Sequence, residues 1–350
     1  MAHIFDLDLQ ASVKNRDTSV LLSVFTFFTN QWLMQILFLV AGSSAWFSMQ
    51  TRTRSRFLRE RTARLIVPLL FGTFVLIPWH GYVSSRNHGQ FNGSYLDFLP
   101  VHFAGIWSEL SWNSTFFFIT SWHLWFLGDL FMFSVLGSFY FGIAALPKRL
   151  LKYRLCILAL PIVIIKLIFD AAFPSHTGWS ETLVWFTLYW YGWLFMSDST
   201  LWPSVASQAV GWLAVGIVTF GILGLAFWNG FLMQWLDHPA YTWDYALYQV
   251  VAAVNSWAWV MAITGFCSRW LNFYHPMLEV LGPAMLPFYI LHQTLVLTIG
   301  FWIVKTQWIV PVKFVVIAVA SLLGTMTIYQ WILRRFTILR TMFGMRATRL

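Results

Sequence analysis

Long apolar runs separated by short polar connections recur from about residue 30 to residue 332. They leave the chain few folds to adopt. A helix of about 20 apolar residues matches the hydrocarbon thickness of a bilayer, and in lipid only helices and closed barrels satisfy every backbone group. The runs fall at about 30–49, 65–84, 123–145, 154–173, 181–197, 209–229, 246–268, 281–304 and 312–332, nine in all. Only 10% of the residues are charged, against roughly a quarter in a soluble domain. The 22 tryptophans and 34 phenylalanines suit membrane interfaces and the contacts between packed helices. The expected fold is all-α: one integral membrane domain over residues 1–350, a polytopic transmembrane bundle of about nine helices. Residues 1–29 form an extracytoplasmic N-terminal segment and 333–350 a cytoplasmic basic tail.

The net charge of +9 raises nucleic acid as a partner, but the basic residues lie in short loops and the tail, which assigns them to topology instead. Loop 50–64 carries six arginines. Loop 146–154 carries Lys148, Arg149, Lys152 and Arg154, loop 269–280 carries Arg269, and the tail carries Arg334, Arg335, Arg340, Arg346 and Arg349. Nine alternating helices place all four regions on one side, the cytoplasm, and the lipid bilayer is the surrounding partner. Asp97, Glu109, Asp237, Asp244 and the N-terminus then face out. An outward N-terminus without a basic-then-apolar signal pattern is unusual, and it leads to the expectation of a further helix upstream of residue 1. Cys156 and Cys267 fall inside apolar runs without metal-ligand or redox spacing, so buried free thiols are expected.

Three stretches could carry chemistry. In loop 50–64, Arg52 to Arg59 read as topology and lipid contacts. Arg61 and Arg64, an i, i+3 pair before the run that begins at Leu65, are expected on one helical face, where two guanidinium forks suit a phosphate or carboxylate ligand. The second stretch, Trp122 to Asp129, places His123 and Asp129 at the outer end of a span. An interfacial cap explains them, and so does a functional site, the default reading of an intramembrane ionisable group. The third runs from Gly282 to Gln293. There Gly282, Pro283 and Pro287 interrupt an apolar helix, and Tyr289, His292 and Gln293 follow. At about 1.5 Å per residue from Leu281, His292 lies about halfway across the membrane. It serves there either as an interhelical hydrogen-bonding group or as a working residue. Lys166 and Asp170 read as a self-satisfied pair, and Asn255 and Ser256 as interhelical bonds. His80, His88, His102, His176, His238 and His275 lie at span ends or in loops, where nothing specific is expected.

The order Arg61-x-x-Arg64-Leu-x-x-Pro68, then Trp122–His–Leu–Trp–Phe–Leu127, then Pro287-x-Tyr289-x-x-His292 resembles the membrane-bound acyltransferase 3 family. The run from Trp32 to Ser43 looks like that family's second helix. The segment around Val13–Asn15 is similar to members concerned with glucan biosynthesis. The resemblance implies ten transmembrane helices in a bacterial inner membrane. It also implies transfer of an acyl group, acetyl or succinyl, from cytoplasmic acyl-CoA to an extracytoplasmic carbohydrate, without a metal. Under it, Arg61 and Arg64 match the paired arginines that engage CoA, and His123 and His292 match recurring positions. The family's first helix carries an essential histidine that would fall near Met1 here. His3 is displaced from that place by about two residues, so the base falls to His3, His123 or His292. Two other readings are a transporter or flippase for a glycan or lipid-linked precursor, which would use an interrupted helix, and an inactive truncated paralogue.

Overall fold

The fold is described from a computed structural model, which covers residues 2–5, 12–108, 122–140, 154–173, 178–198 and 200–345. Among these residues the regular structure is entirely helical. After a 3-10 turn at Ala2–Phe5 come α1 (Val20–Asn30), α2 (Leu33–Gln50), α3 (Arg54–Asn87), α4 (Tyr95–Ser108) and α5 (Trp125–Tyr140). Then follow α6 (Arg154–Phe169), α7 (Trp179–Ser197), α8 (Leu201–Trp228), α9 (Phe231–Asp237) and α10 (Trp243–Trp270). The chain finishes with α11 (Met277–Ile303), α12 (Val310–Leu333) and α13 (Thr337–Met342).

Among the described residues each of the nine apolar runs carries a helix, and seven helical stretches are long and apolar enough to cross a membrane. Two of the nine fall short for physical reasons. The apolar part of α6, Leu155–Phe169, is too short, and α7 is the central helix, rich in tryptophan and tyrosine and mostly buried among its neighbours. The first span is longer than the sequence suggests. Ser19 caps α1 by accepting from the Leu22 N–H at 3.4 Å, and α1 and α2 together make one span over Val20–Gln50.

The bundle packs tightly where small residues allow it. Gly42 of α2 and Gly192 of α7 face each other's backbones: a Cβ on Gly42 would lie 1.8 Å from the Tyr189 carbonyl oxygen, and one on Gly192 would lie 1.8 Å from the Leu39 carbonyl oxygen. Ser43 donates to the Gly192 carbonyl at 3.0 Å across the same seam. Such close approach replaces the hydrophobic drive that lipid cannot supply. Asn255 forms the expected interhelical bonds, from α10 to the Gly216 carbonyl at 2.9 Å and the Thr219 hydroxyl at 2.8 Å on α8. Ser256 beside it is half-buried.

Lys166 and Asp170 form more than a local pair. Lys166 bonds Asp170 at 2.9 Å and also Glu181 of α7. Asp170 accepts from Ser180 at 3.0 Å, and from Tyr245 at 2.7 Å and Gln249 at 2.6 Å on α10. The cluster therefore ties α6, α7 and α10 together. Both cysteines are exposed on their helices, which corrects the expectation of buried thiols. In a membrane protein an apolar run does not distinguish a face turned to lipid from one turned to protein. Lys148, Arg149, Lys152, Glu109, His176, Arg346 and Arg349 lie outside the described residues.

The N-terminal segment is anchored. Asn15 and Ser19 donate backbone N–H groups to the Ile4 and Phe5 carbonyls, each at 2.9 Å. Ile4 and Phe5 pack with Val296 of α11 and Ile317 of α12. The buried Lys313 donates to the Asn15 side chain at 2.8 Å and to the Val304 carbonyl at 3.1 Å.

Candidate active site

Helix α3 has an irregular pitch for a reason legible in its prolines. Pro68 and Pro78 are each preceded by a π turn, Thr62–Ile66 and Gly72–Leu76, closed by i→i−5 bonds from Val67 to Thr62 and from Ile77 to Gly72. A proline ring clashes with the carbonyl four residues back and supplies no N–H. The wider turn relieves that clash. The first π turn opens directly after Arg61 and contains Arg64, so the regular three-residue spacing does not hold and the two arginines have different surroundings, which corrects the expectation that they share a face. The Arg61 guanidinium lies 5.0 Å from the Phe57 ring, within electrostatic reach of the Tyr189 hydroxyl. Arg64 instead lines a cavity of about 710 Å³ with Glu279, Leu286, Tyr329, Arg334 and Arg340. Three of the preceding arginines hold partners within the bundle. Glu60 pairs with Arg52 and Arg56, each at 3.1 Å, and Arg54 sits over the Phe139 ring at 4.7 Å.

Deeper in the bundle, three elements bring three histidines together. His80 of α3 and His123, in the 3-10 turn Trp122–Leu124 before α5, have ring centroids 5.0 Å apart. His123 and His292 of α11 are 5.9 Å apart. Helix α11 holds the other two elements in register. The Ile290 carbonyl meets His123 Nε2 at 3.2 Å, Tyr289 donates its hydroxyl to the His123 carbonyl, and Thr294 meets His80 Nε2 at 2.8 Å. One turn further on, Trp79 donates to Thr298 at 2.8 Å. Trp122 enters this group with φ at 46°, a conformation that costs a non-glycine residue about 1–3 kcal/mol and marks an over-determined backbone.

These contacts fix proton positions. A carbonyl only accepts, so His123 carries its proton on Nε2, and Nδ1 keeps the lone pair. That Nδ1 is buried with no partner among the described residues. His292 directs Nδ1 at the Tyr289 carbonyl at 2.7 Å, which leaves Nε2 as its basic nitrogen. Both rings therefore hold a tautomer able to accept a proton. Asp129 lies on α5 below His123, fully buried, with both carboxylate oxygens unpartnered among the described residues. His3 is half-buried in the N-terminal turn, whose Ile4 packs within 3.0 Å of where a Gly300 Cβ would stand. Gly300 is eight residues, or about 12 Å of helix, beyond His292. Among the described residues no group of three or more His, Cys, Asp or Glu side chains is arranged to hold a metal ion.

Helix α11 runs unbroken through Pro283 and Pro287, where the sequence suggested an interruption. Prolines survive inside a membrane helix when neighbouring groups satisfy the freed backbone. One continuous element thus lines the basic cavity through Pro283 and Leu286 and meets the histidines through Tyr289 to Thr294. From Gly282 to His292 the separation is about 15 Å along the axis.

The helical bundle thus holds a basic cavity and, further along α11, a group of histidines. The sequence model of the acyltransferase 3 family, described as an acyltransferase domain, matches residues 1–330. The chain belongs to that family, and so to the membrane acyltransferases. No curated protein and no solved structure matches it.

Proposed function

We propose that the protein is an O-acyltransferase of a bacterial inner membrane. It takes an acetyl or succinyl group from acyl-CoA on the cytoplasmic side and delivers it to a hydroxyl of an extracytoplasmic glycan. One observation carries this reading: α11 lines a cavity with arginines and, about 15 Å further along, positions His123 and His292 with open basic nitrogens. The arginines suit the phosphates of CoA. Arg64 meets the donor directly, while Arg61 stands outside that lining with its guanidinium by the Phe57 ring. His123 or His292 removes the acceptor's hydroxyl proton as its oxygen attacks the thioester carbonyl. The new C–O bond forms, the C–S bond breaks, and the proton passes to the leaving CoA thiolate. A histidine suits the task because its neutral ring keeps one nitrogen that can take up a proton and release it again. The surrounding helices exclude water that would hydrolyse the thioester.

Membranes containing the protein, given radiolabelled acyl-CoA and membrane glycan, should incorporate label. Loss of general-base catalysis is worth about 10²–10⁴-fold, so His123→Ala should fall by that order at saturating donor. Arg64→Ala should raise the KM for acyl-CoA. Equal incorporation by wild type, Arg61→Ala, Arg64→Ala and His123→Ala would sink the assignment. A flippase for a lipid-linked precursor would translocate its substrate without binding CoA, and the unbroken α11 lacks the discontinuity such a carrier uses.

A further inference from the structure

The basic tail folds back onto the bundle. After the last turn of α12, a π turn at Tyr329–Leu333, the chain reverses and α13 packs against α3. Phe343 is buried, with its ring centroid 5.3 Å from that of Phe71. Gly344 makes the tightest contact. Its φ is +66°, and a Cβ there would lie 2.6 Å from the Arg64 carbonyl oxygen, 2.6 Å from Leu286 and 3.0 Å from Pro68. Only glycine fits both the conformation and the space. The fold-back places Arg334 and Arg340 on the wall of the cavity that Arg64 lines. Arg334 is steered by a 2.7 Å bond to Gln330 and lies 6.0 Å from the Tyr329 ring.

Three guanidinium groups therefore surround one cavity from three parts of the chain: a π turn of α3, the end of α12, and α13. Glu279 is the acid in the lining, and it already accepts from the Tyr274 hydroxyl. Three positive charges against one negative leave a formal +2. A volume of about 710 Å³ is that of a small-molecule pocket, and Tyr329 supplies an aromatic wall beside the charges. Arg335, also in the tail, is not part of that lining and lies over the Trp331 ring at 4.9 Å.

We infer that the C-terminal tail is a clamp for the donor, in which Arg334 and Arg340 complete with Arg64 a cage for the phosphorylated nucleoside end of acyl-CoA. The inference rests on the acyltransferase reading above. It assigns a ligand contact to a segment whose charge otherwise serves only topology. Gly344 is the residue whose close approach seats it.

The test is binding of labelled acetyl-CoA to the full-length protein in detergent, with 3′,5′-adenosine bisphosphate as competitor. Charge-assisted hydrogen bonds of this kind are worth enough that Arg334→Gln and Arg340→Gln should each weaken binding about tenfold or more. Gly344→Ala should weaken it with every charge retained, and Arg335→Gln should bind as wild type does. The bisphosphate alone should displace the label from wild type. If the Arg334 and Arg340 variants bind as wild type while Arg64→Gln does not, the clamp is wrong and the donor reading stands. If wild type binds neither acetyl-CoA nor the bisphosphate, the donor reading falls and takes the clamp with it. If phosphatidylglycerol in the micelle displaces the label and the bisphosphate does not, the cage is a lipid site and the inference is overturned.

Discussion

The tyrosine that joins α11 to the turn before α5 carries more positional information than any other single side chain near the histidines. Tyr289 donates to the His123 carbonyl, and its removal leaves a semi-buried acceptor unsatisfied, at about 1–3 kcal/mol. If His123 works as proposed, Tyr289→Phe should lower kcat, up to the order of 10²-fold that a 1 Å misplacement can cost, with KM for the donor unchanged. A change in KM alone would mean that the hydroxyl serves the cavity and not the histidine. Asp129 makes the opposite expectation. A buried carboxylate with unpartnered oxygens is destabilising, so Asp129→Leu should leave the thermal midpoint in detergent unchanged or raised. A midpoint several degrees lower would show that the carboxylate is structural. Of these residues the sequence pointed to His123 and His292 but passed over His80. In one dimension His80 is a histidine at the end of a span. Its partner Thr294 is 214 positions away, and nothing local announces a contact of that kind.

Elements were legible where hydrophobicity alone decides them, which is why all nine apolar runs became helices. What periodicity could not show was pitch and break. The two π turns of α3 follow from Pro68 and Pro78, yet the count of three residues from Arg61 to Arg64 presumed a regular helix. Helix α11 kept its course through two prolines that looked like breaks. Packing depth was likewise hidden, because in lipid a core-facing and a lipid-facing residue are equally apolar. The α2–α7 seam marks the difference. With a Cβ on Gly192 placed 1.8 Å from the Leu39 carbonyl, Gly192→Ala must push the two helices apart, and overpacking of this kind costs about 1–3 kcal/mol or more. Gly211→Ala, at an exposed site on α8 with open space, should be neutral or slightly stabilising. Thermal unfolding in detergent should separate them by several degrees. Equal midpoints would mean that the seam is not as close as described.

For the whole molecule the remaining question is which way the bundle stands in the membrane, since a donor cavity and an acceptor side have meaning only with an orientation. The positive-inside rule favours one orientation. The cavity with Arg64, Arg334 and Arg340 should face the cytoplasm, where acyl-CoA is made, and the loop before α4 should face out. That loop closes on itself: Ser94 and Asp97 cap α4 reciprocally, the carboxylate accepting from the Ser94 N–H at 3.0 Å and its hydroxyl at 2.6 Å. Arg86 donates to the Asn92 carbonyl at 2.9 Å. Asn92 itself is exposed, as is Asn272 between α10 and α11, so a thiol at either position reports the side it occupies. Cys156 and Cys267 can be replaced by serine first, because both are exposed on their helices and neither leaves a cavity behind. In that background Asn92→Cys should react with a membrane-impermeant maleimide on intact cells, and Asn272→Cys only after the membrane is opened. The reverse pattern would put the arginine cage outside, out of reach of cytoplasmic acyl-CoA. The histidines would then have to be supplied from the other end of α11, and the direction of transfer proposed above could not hold.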